Sequence, residues 1–208
     1  MKEWWLIICL CGLSAAGYAA QDISENLGRP AMMLYYGETA KQVFGNVVGG
    51  EFTRIGENSF TVEGSYAFSK DSWIHRFFYP ISDMVQLAAN YTYRHDYRRD
   101  DHVHEGNLFL LWSYRRFPWS DFLRTSLSFG DGISFDSHPP AADCGDYDPR
   151  DVSRFLNYMI VELAFALPSA PRTQLVFRIH HKCTAWGFFP GRAAVGSTGA
   201  GVGFRWYF

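Results

Sequence analysis

Apolar residues recur at every second position along much of this chain, the period of a β-strand and not of a helix. At the C-terminal end Val202, Phe204, Trp206 and Phe208 alternate with Gly201, Gly203, Arg205 and Tyr207. Over Thr173–Cys183, Leu175, Phe177 and Ile179 alternate with Gln174, Arg178 and His180. Over Asn157–Leu167, Met159, Val161, Leu163, Phe165 and Leu167 oppose Tyr158, Glu162 and Ala164. A packed core accepts no unpaired charge, so one face of these strands meets an apolar medium and the other a polar one. Further alternating stretches near Ala31–Tyr36, Ser59–Phe68, Val85–Tyr93, Asn107–Arg115 and Arg124–Ile133 bring the total to eight.

The connections alternate in length. Pro168–Pro171 and Arg116–Asp121 are compact, Ser69–Asp83 is a longer turn, and Gly37–Glu57, Phe135–Asp151 and Thr184–Thr198 are long loops rich in Gly or Pro. Outer-membrane barrels combine short periplasmic turns, long external loops and an even strand number, and closure satisfies every backbone group in lipid. The pattern predicts an all-β fold, an eight-stranded antiparallel transmembrane (outer-membrane) β-barrel with both termini periplasmic. Trp73, Phe77, Phe78, Tyr79, Trp112, Trp119, Trp206 and Tyr207 fall near strand ends, where interfacial girdles sit. The terminal Phe208 looks like an outer-membrane assembly signal. A soluble periplasmic barrel with ligand-facing apolar residues produces the same alternation and is the competing architecture. Because eight strands enclose an interior filled by side chains, solute conduction is excluded and function belongs to wall, rim or loops.

Composition narrows the class. With 18% aromatic and 19% charged residues and a net charge of −2, the chain is neither disordered nor a basic nucleic-acid binder. No internal stretch approaches the roughly 18 to 20 apolar residues of a membrane-spanning helix. Met1 and Lys2, an apolar run from Trp4 to Leu13 and small residues through Ala20 read as a signal peptide over 1–19, with Gly17 and Ala19 before the cut. The barrel domain is then 20–208, and an uncleaved anchor helix is the alternative. Cys9 and Cys11 fall in this leader without a lipobox, leaving Cys144 and Cys183 in an exported chain that can hold a disulfide.

His181 and Cys183 are in phase with Phe177 and Ile179, so they project from the lipid-facing side near the external end of their strand. A base and a thiol at i and i+2 are about 7 Å apart by rise, and their side chains can lean together. Such spacing also arises by chance. Around it, RTSLSFGDGISF (124–135), RFLNYMIVELAFALP (154–168), RIHHKCTAWGFF (178–189) and the closing GAGVGFRWYF resemble the lipid A 3-O-deacylase family of outer-membrane barrels and its acyloxyacyl-hydrolase-like relatives. The resemblance is close over 124–208 and an outline before that. It implies removal of an ester-linked acyl chain from lipid A by a His-x-Ser pair near the outer leaflet, aided by an acid further on.

By that resemblance His181 matches the base and Cys183 stands at the nucleophile's place, with no cofactor and no metal ligand called for. Relatives in this branch read His-His-Arg-Ser-Gly, and here the segment is His180-His181-Lys182-Cys183-Thr184. A cysteine serves as nucleophile if its pKa is lowered by His181. No Asp or Glu follows Glu162, so Asp131, Asp136, Asp146 or Asp148 is left to orient His181. Three fates remain open for Cys183: a catalytic thiol, a disulfide to Cys144 that pins the loop to the wall, or one of two unrelated free thiols.

Other clusters read more plainly. The segment Arg94–Glu105 is a mixed-charge external hairpin whose His and Asp content suggests metal; its alternating sign favours a solvated tip, with Arg98 and Arg99 available to lipopolysaccharide phosphates. Gly130-Asp131-Gly132 reads as a strand-end bulge or bend. Gly196-Ser197-Thr198-Gly199 is a flexible return whose amides lie near Cys183 as candidate oxyanion donors. The expected function is a lipid A deacylase-like carboxylic ester hydrolase of the outer membrane, acting on lipopolysaccharide acyl chains and not on nucleic acid. The alternative is a non-catalytic barrel that is structural, binds lipopolysaccharide, docks in an envelope complex or forms a homodimer.

Overall fold

A computed structural model describes residues 25–145, 147–189 and 196–208 of the chain, so the proposed leader over 1–19 and Asp146 lie outside the described residues. Eight antiparallel strands form a closed barrel: β1 (Pro30–Ala40), β2 (Arg54–Ala67), β3 (Met84–Asp96), β4 (Asp101–Tyr114), β5 (Arg124–Asp136), β6 (Phe155–Ala166), β7 (Thr173–Cys183) and β8 (Thr198–Tyr207). Each strand pairs with its sequence neighbours, and β8 closes on β1 from Ala31↔Tyr207 to Ala40↔Thr198. Among the described residues no helix is long and apolar enough to cross a membrane.

The outward face is an apolar belt that includes Leu34, Phe60, Leu87, Leu108, Phe129, Leu163, Phe177 and Phe204, all exposed. That belt, on strands long enough to cross a bilayer, makes this an outer-membrane type of barrel rather than a soluble one with its apolar face inside. Trp206 lies outward as expected of a girdle, whereas Tyr207 turns inward, is buried, and reaches Gln86. The alternation itself forces this, because adjacent strand residues take opposite faces.

The interior is filled. Arg178 pairs with Glu63 at 2.5 Å and Glu162 at 2.7 Å, while Arg205 pairs with Glu162 at 2.6 Å and Glu63 at 3.3 Å. Nearer the end where the long loops gather, Arg94 meets Glu57, Glu105 and Asp143 at 2.5, 3.2 and 3.4 Å. Lys182 meets Glu105, Asp136 and Asp143 at 2.9, 2.8 and 2.8 Å. Small apolar clusters, such as Phe109 with Leu111, Tyr158 and Ile160, fill the space beside these ionic layers.

Three sequence expectations are corrected here. The charged hairpin is mostly strand: only 97–100 form the turn, and Arg94, Asp96 and Glu105 are buried interior groups, because their alternating sign followed the inside–outside alternation. Gly130-Asp131-Gly132 is no bulge. Its register with β4 and β6 is unbroken, and the two glycines face inward where a Cβ would crowd Leu111, Ile160 and Phe109. The longer turn after β2 holds a short helix, α2 (Trp73–Phe78), with Ser72 capping the His75 amide at 3.1 Å. Two other short helices lie at the opposite end, α1 (Phe44–Val48) between β1 and β2 and α3 (Ala141–Cys144) between β5 and β6.

Candidate active site on the outer wall

The segment His180-His181-Lys182-Cys183 is divided by the wall. Lys182 points inward and is buried in the ionic layer with Glu105, Asp136 and Asp143, and its inward neighbour Arg178 is held by Glu63 and Glu162. With those two residues fixed inside, His181 and Cys183 stand on the outer face at the loop-bearing end of β7, both half-buried. His180 lies inside, with ring contacts to Tyr35 and Tyr158.

His181 Nδ1 is 3.0 Å from Thr198 Oγ1, its direct cross-strand partner on β8. Phe44 of α1 covers the imidazole, with ring centroids 5.4 Å apart. The Cys183 thiol is turned the other way and lies 3.9 Å from Asn157 Oδ1 on β6. Asn157 in turn donates to Asp131 Oδ1 at 2.9 Å and to the Gly132 carbonyl at 3.0 Å. Thr198, His181, Cys183, Asn157 and Asp131 thus make a polar strip across four strands of an otherwise apolar wall.

None of the acids considered from the sequence and described in the structure orients His181. Asp131 is level with it but two strands away, across Met159, a separation of about 10 Å. Asp136 is committed to Lys182 inside, and Asp148 pairs with Arg150 in the loop at 2.6 Å. The neutral hydroxyl of Thr198 and the Ser197 backbone take the orienting place instead. The sequence signals Thr198 only as part of a loop return, because its role depends on the β7–β8 register.

The two glycines among the candidate oxyanion donors are otherwise engaged. Gly196 donates its amide to the Asp143 carbonyl at 2.9 Å, and at φ 134° it lies where any Cβ would overlap the Lys182 carbonyl. Gly199 is within β8, paired on both sides. The two thiols are free and lie on opposite faces of the wall. Cys144 packs inward with Leu156 and Val152 and donates to the Pro140 carbonyl at 3.3 Å, whereas Cys183 is outside. Burial, with the Asp143 carboxylate beside it, pushes the Cys144 thiol up.

Directly below the His181–Thr198 pair, the rung Ile179↔Ala200 begins an apolar groove of about 580 Å³ on the outer wall. Its sides are Tyr36, Phe52, Leu163, Phe177, Ile179 and Val202, and its floor is low at Ala200, the small outward residue of the first rung. Arg54 and Glu38, paired at 2.5 Å, mark its loop-side end.

No family model matches the sequence, and no curated protein matches it. Solved structures do. The chain is similar to the outer membrane enzyme PagL, at 13% identity and TM-score 0.57, covering 84% of this chain and 97% of that one. It is similar also to the N-terminal β-barrel domain of Pseudomonas aeruginosa OprF, at 11% identity and TM-score 0.52, covering 88% and 98%. Likenesses this distant establish the outer-membrane barrel fold, which an enzyme and another barrel share.

Proposed function

We propose that this protein is a carboxylic ester hydrolase of the lipid A deacylase kind, placed in the outer membrane after removal of its leader and acting on lipopolysaccharide acyl chains in the outer leaflet. The groove carries the reading. It is an apolar trough on the lipid-facing side that ends one rung below the imidazole of His181. An acyl chain laid between Tyr36, Phe177 and Val202 brings its ester to the level of His181 and Cys183, and the exposed Arg54 guanidinium meets a head-group phosphate. Binding along the groove converts the encounter into a positioned reaction.

In this reading Thr198 holds His181 Nδ1, leaving Nε2 as the base. Rotation of Cys183 away from Asn157 presents its thiol to Nε2, which takes the proton as the sulfur attacks the ester carbonyl. The tetrahedral adduct collapses, the carbon–oxygen bond to the sugar breaks, and His181 returns the proton to the leaving alkoxide. Water activated by the same imidazole then hydrolyses the thioester, releasing the fatty acid and restoring the thiol.

One observation favours a second reading. At rest Cys183 is turned to Asn157 and His181 to Thr198, an arrangement that suits a non-catalytic barrel whose groove only seats lipopolysaccharide. Mass spectrometry of lipid A separates the two, using cells with no barrel, the wild type, His181→Ala and Cys183→Ala. The hydrolase predicts loss of one acyl chain with the wild type and its retention in both variants. Identical acyl patterns with and without the wild-type barrel would leave the binding role.

A further inference from the structure

On the other side of the barrel, at the tip of the β3–β4 hairpin, three ligand-bearing side chains converge. The ligand atoms of His95, Asp100 and His102 all lie within 4.8 Å of one another. His95 and His102 are direct cross-strand partners, and their rings stack with centroids 4.4 Å apart and planes 12° from parallel. Asp100 sits in the turn with φ 51°, the left-handed conformation that Asp tolerates, and its carboxylate folds back over the pair. Its Oδ1 is 3.6 Å from His95 Nε2 and 3.5 Å from His102 Nε2. A tetrahedron with metal–ligand bonds of about 2.0–2.1 Å has edges of about 3.3–3.4 Å, close to these two separations, and His95 turns out of the stack to share an ion, since a metal lies in the plane of each imidazole it binds.

Two further observations point to a ligand. The Tyr93 hydroxyl is 2.6 Å from His102 Nδ1, fixing that ring and leaving Nε2 for a partner, the outer support that metal-bound imidazoles use. His95 Nε2 is shielded from solvent without a hydrogen bond, since the facing Asp100 oxygen is beyond hydrogen-bond reach. A buried nitrogen left this way costs free energy that a shared cation relieves. Of the neighbouring histidines, His104 makes the same bond to Tyr91 at 2.6 Å but is not one of the converging ligands, and His138 is engaged with Asp101 at 2.9 Å.

We propose that His95, Asp100 and His102 bind a borderline divalent transition metal, with Zn²⁺ as the type, at the external tip of this hairpin. Two imidazoles and a carboxylate suit such an ion and not Ca²⁺ or Mg²⁺, which take all-oxygen shells. Three protein ligands leave a fourth position open on the exposed side for water or an external donor. The site is independent of His181 and Cys183, which stand on β7, three strands from β4 and four from β3 around the barrel.

Calorimetric titration of ZnCl₂ into the full, untagged, metal-stripped barrel folded in detergent micelles tests this, with circular dichroism confirming the fold of every variant. The wild type binds one equivalent, and His95→Ala and His102→Ala each weaken binding at least about tenfold. Tyr93→Phe weakens it by about tenfold, as loss of an outer-shell partner does, while His104→Ala and His138→Ala bind as the wild type does. Should a histidine variant fail to fold, Asp100→Asn at the exposed turn gives the same reading by weakening binding. No saturable binding by the folded wild type, or wild-type affinity in a folded His95→Ala/His102→Ala double variant or in Asp100→Asn, overturns the proposal.

Discussion

His181 and Cys183 face outward because Lys182 between them faces inward, where three carboxylates hold its ammonium. A slip of β7 by one residue would exchange the faces and bury the candidate nucleophile. Lys182→Met leaves Glu105 and Asp143 to share Arg94 with Glu57 and takes the lysine from Asp136, and removing one partner from a buried ionic set costs about 3–5 kcal/mol. Urea unfolding of the variant followed by tryptophan fluorescence should show a loss of that size. The thiols differ as sharply. With Cys144 buried and its pKa raised, and Cys183 half-exposed, a maleimide should label Cys183 first in the folded barrel, as peptide mass mapping can read. Equal labelling would contradict the placement of the two residues on opposite faces.

At the level of elements, the β5–β6 loop is latched into the barrel mouth. Asp143 of α3 reaches Lys182 and Arg94, accepts from the Ser197 hydroxyl, and receives the Gly196 amide on its carbonyl, tying this loop to the end of the β7–β8 loop. Burial raises the Asp143 pKa, but Lys182 and Arg94 outweigh it and hold the carboxyl below its ordinary range. A carboxyl whose folded pKa is depressed stabilises the fold above its unfolded value, about 3.9, and loses that contribution as pH falls through the folded value. Amide hydrogen exchange over 141–144, corrected for intrinsic rates, should therefore stay protected from neutral pH down to about 4 and weaken only below it. Asp143→Ala should expose the loop at neutral pH. The same scale explains why the turn after β2 reads as irregular: α2 is six residues long, too short for a helical period to stand out, and its Ser72 cap is the main local sign.

For the whole molecule, the two ionic layers and the apolar clusters fill the barrel interior among the described residues. Reconstituted in planar bilayers, the protein should show no porin-like conductance, and steady open-channel currents would contradict the filled interior. Glu162→Ala should unfold at lower urea, because both Arg178 and Arg205 lose a partner in the layer that joins β2, β6, β7 and β8. These outcomes concern the barrel alone and hold whether its outer wall cleaves lipid or only seats it.

The architecture is legible in the amino-acid order, since strand alternation repeats locally in every segment and short and long connections mark the two ends. So is the face of His181 and Cys183, which follows from their phase with Phe177 and Ile179. Which groups meet follows from the folded barrel. The partner of His181 is Thr198 and that of Cys183 is Asn157, both set by registers between strands, and the charges of the β3–β4 hairpin are divided between a buried interior network and an exposed tip. The physical reason is range: alternation is written into neighbouring residues, whereas contacts across a closed wall depend on how far each strand is offset from the next.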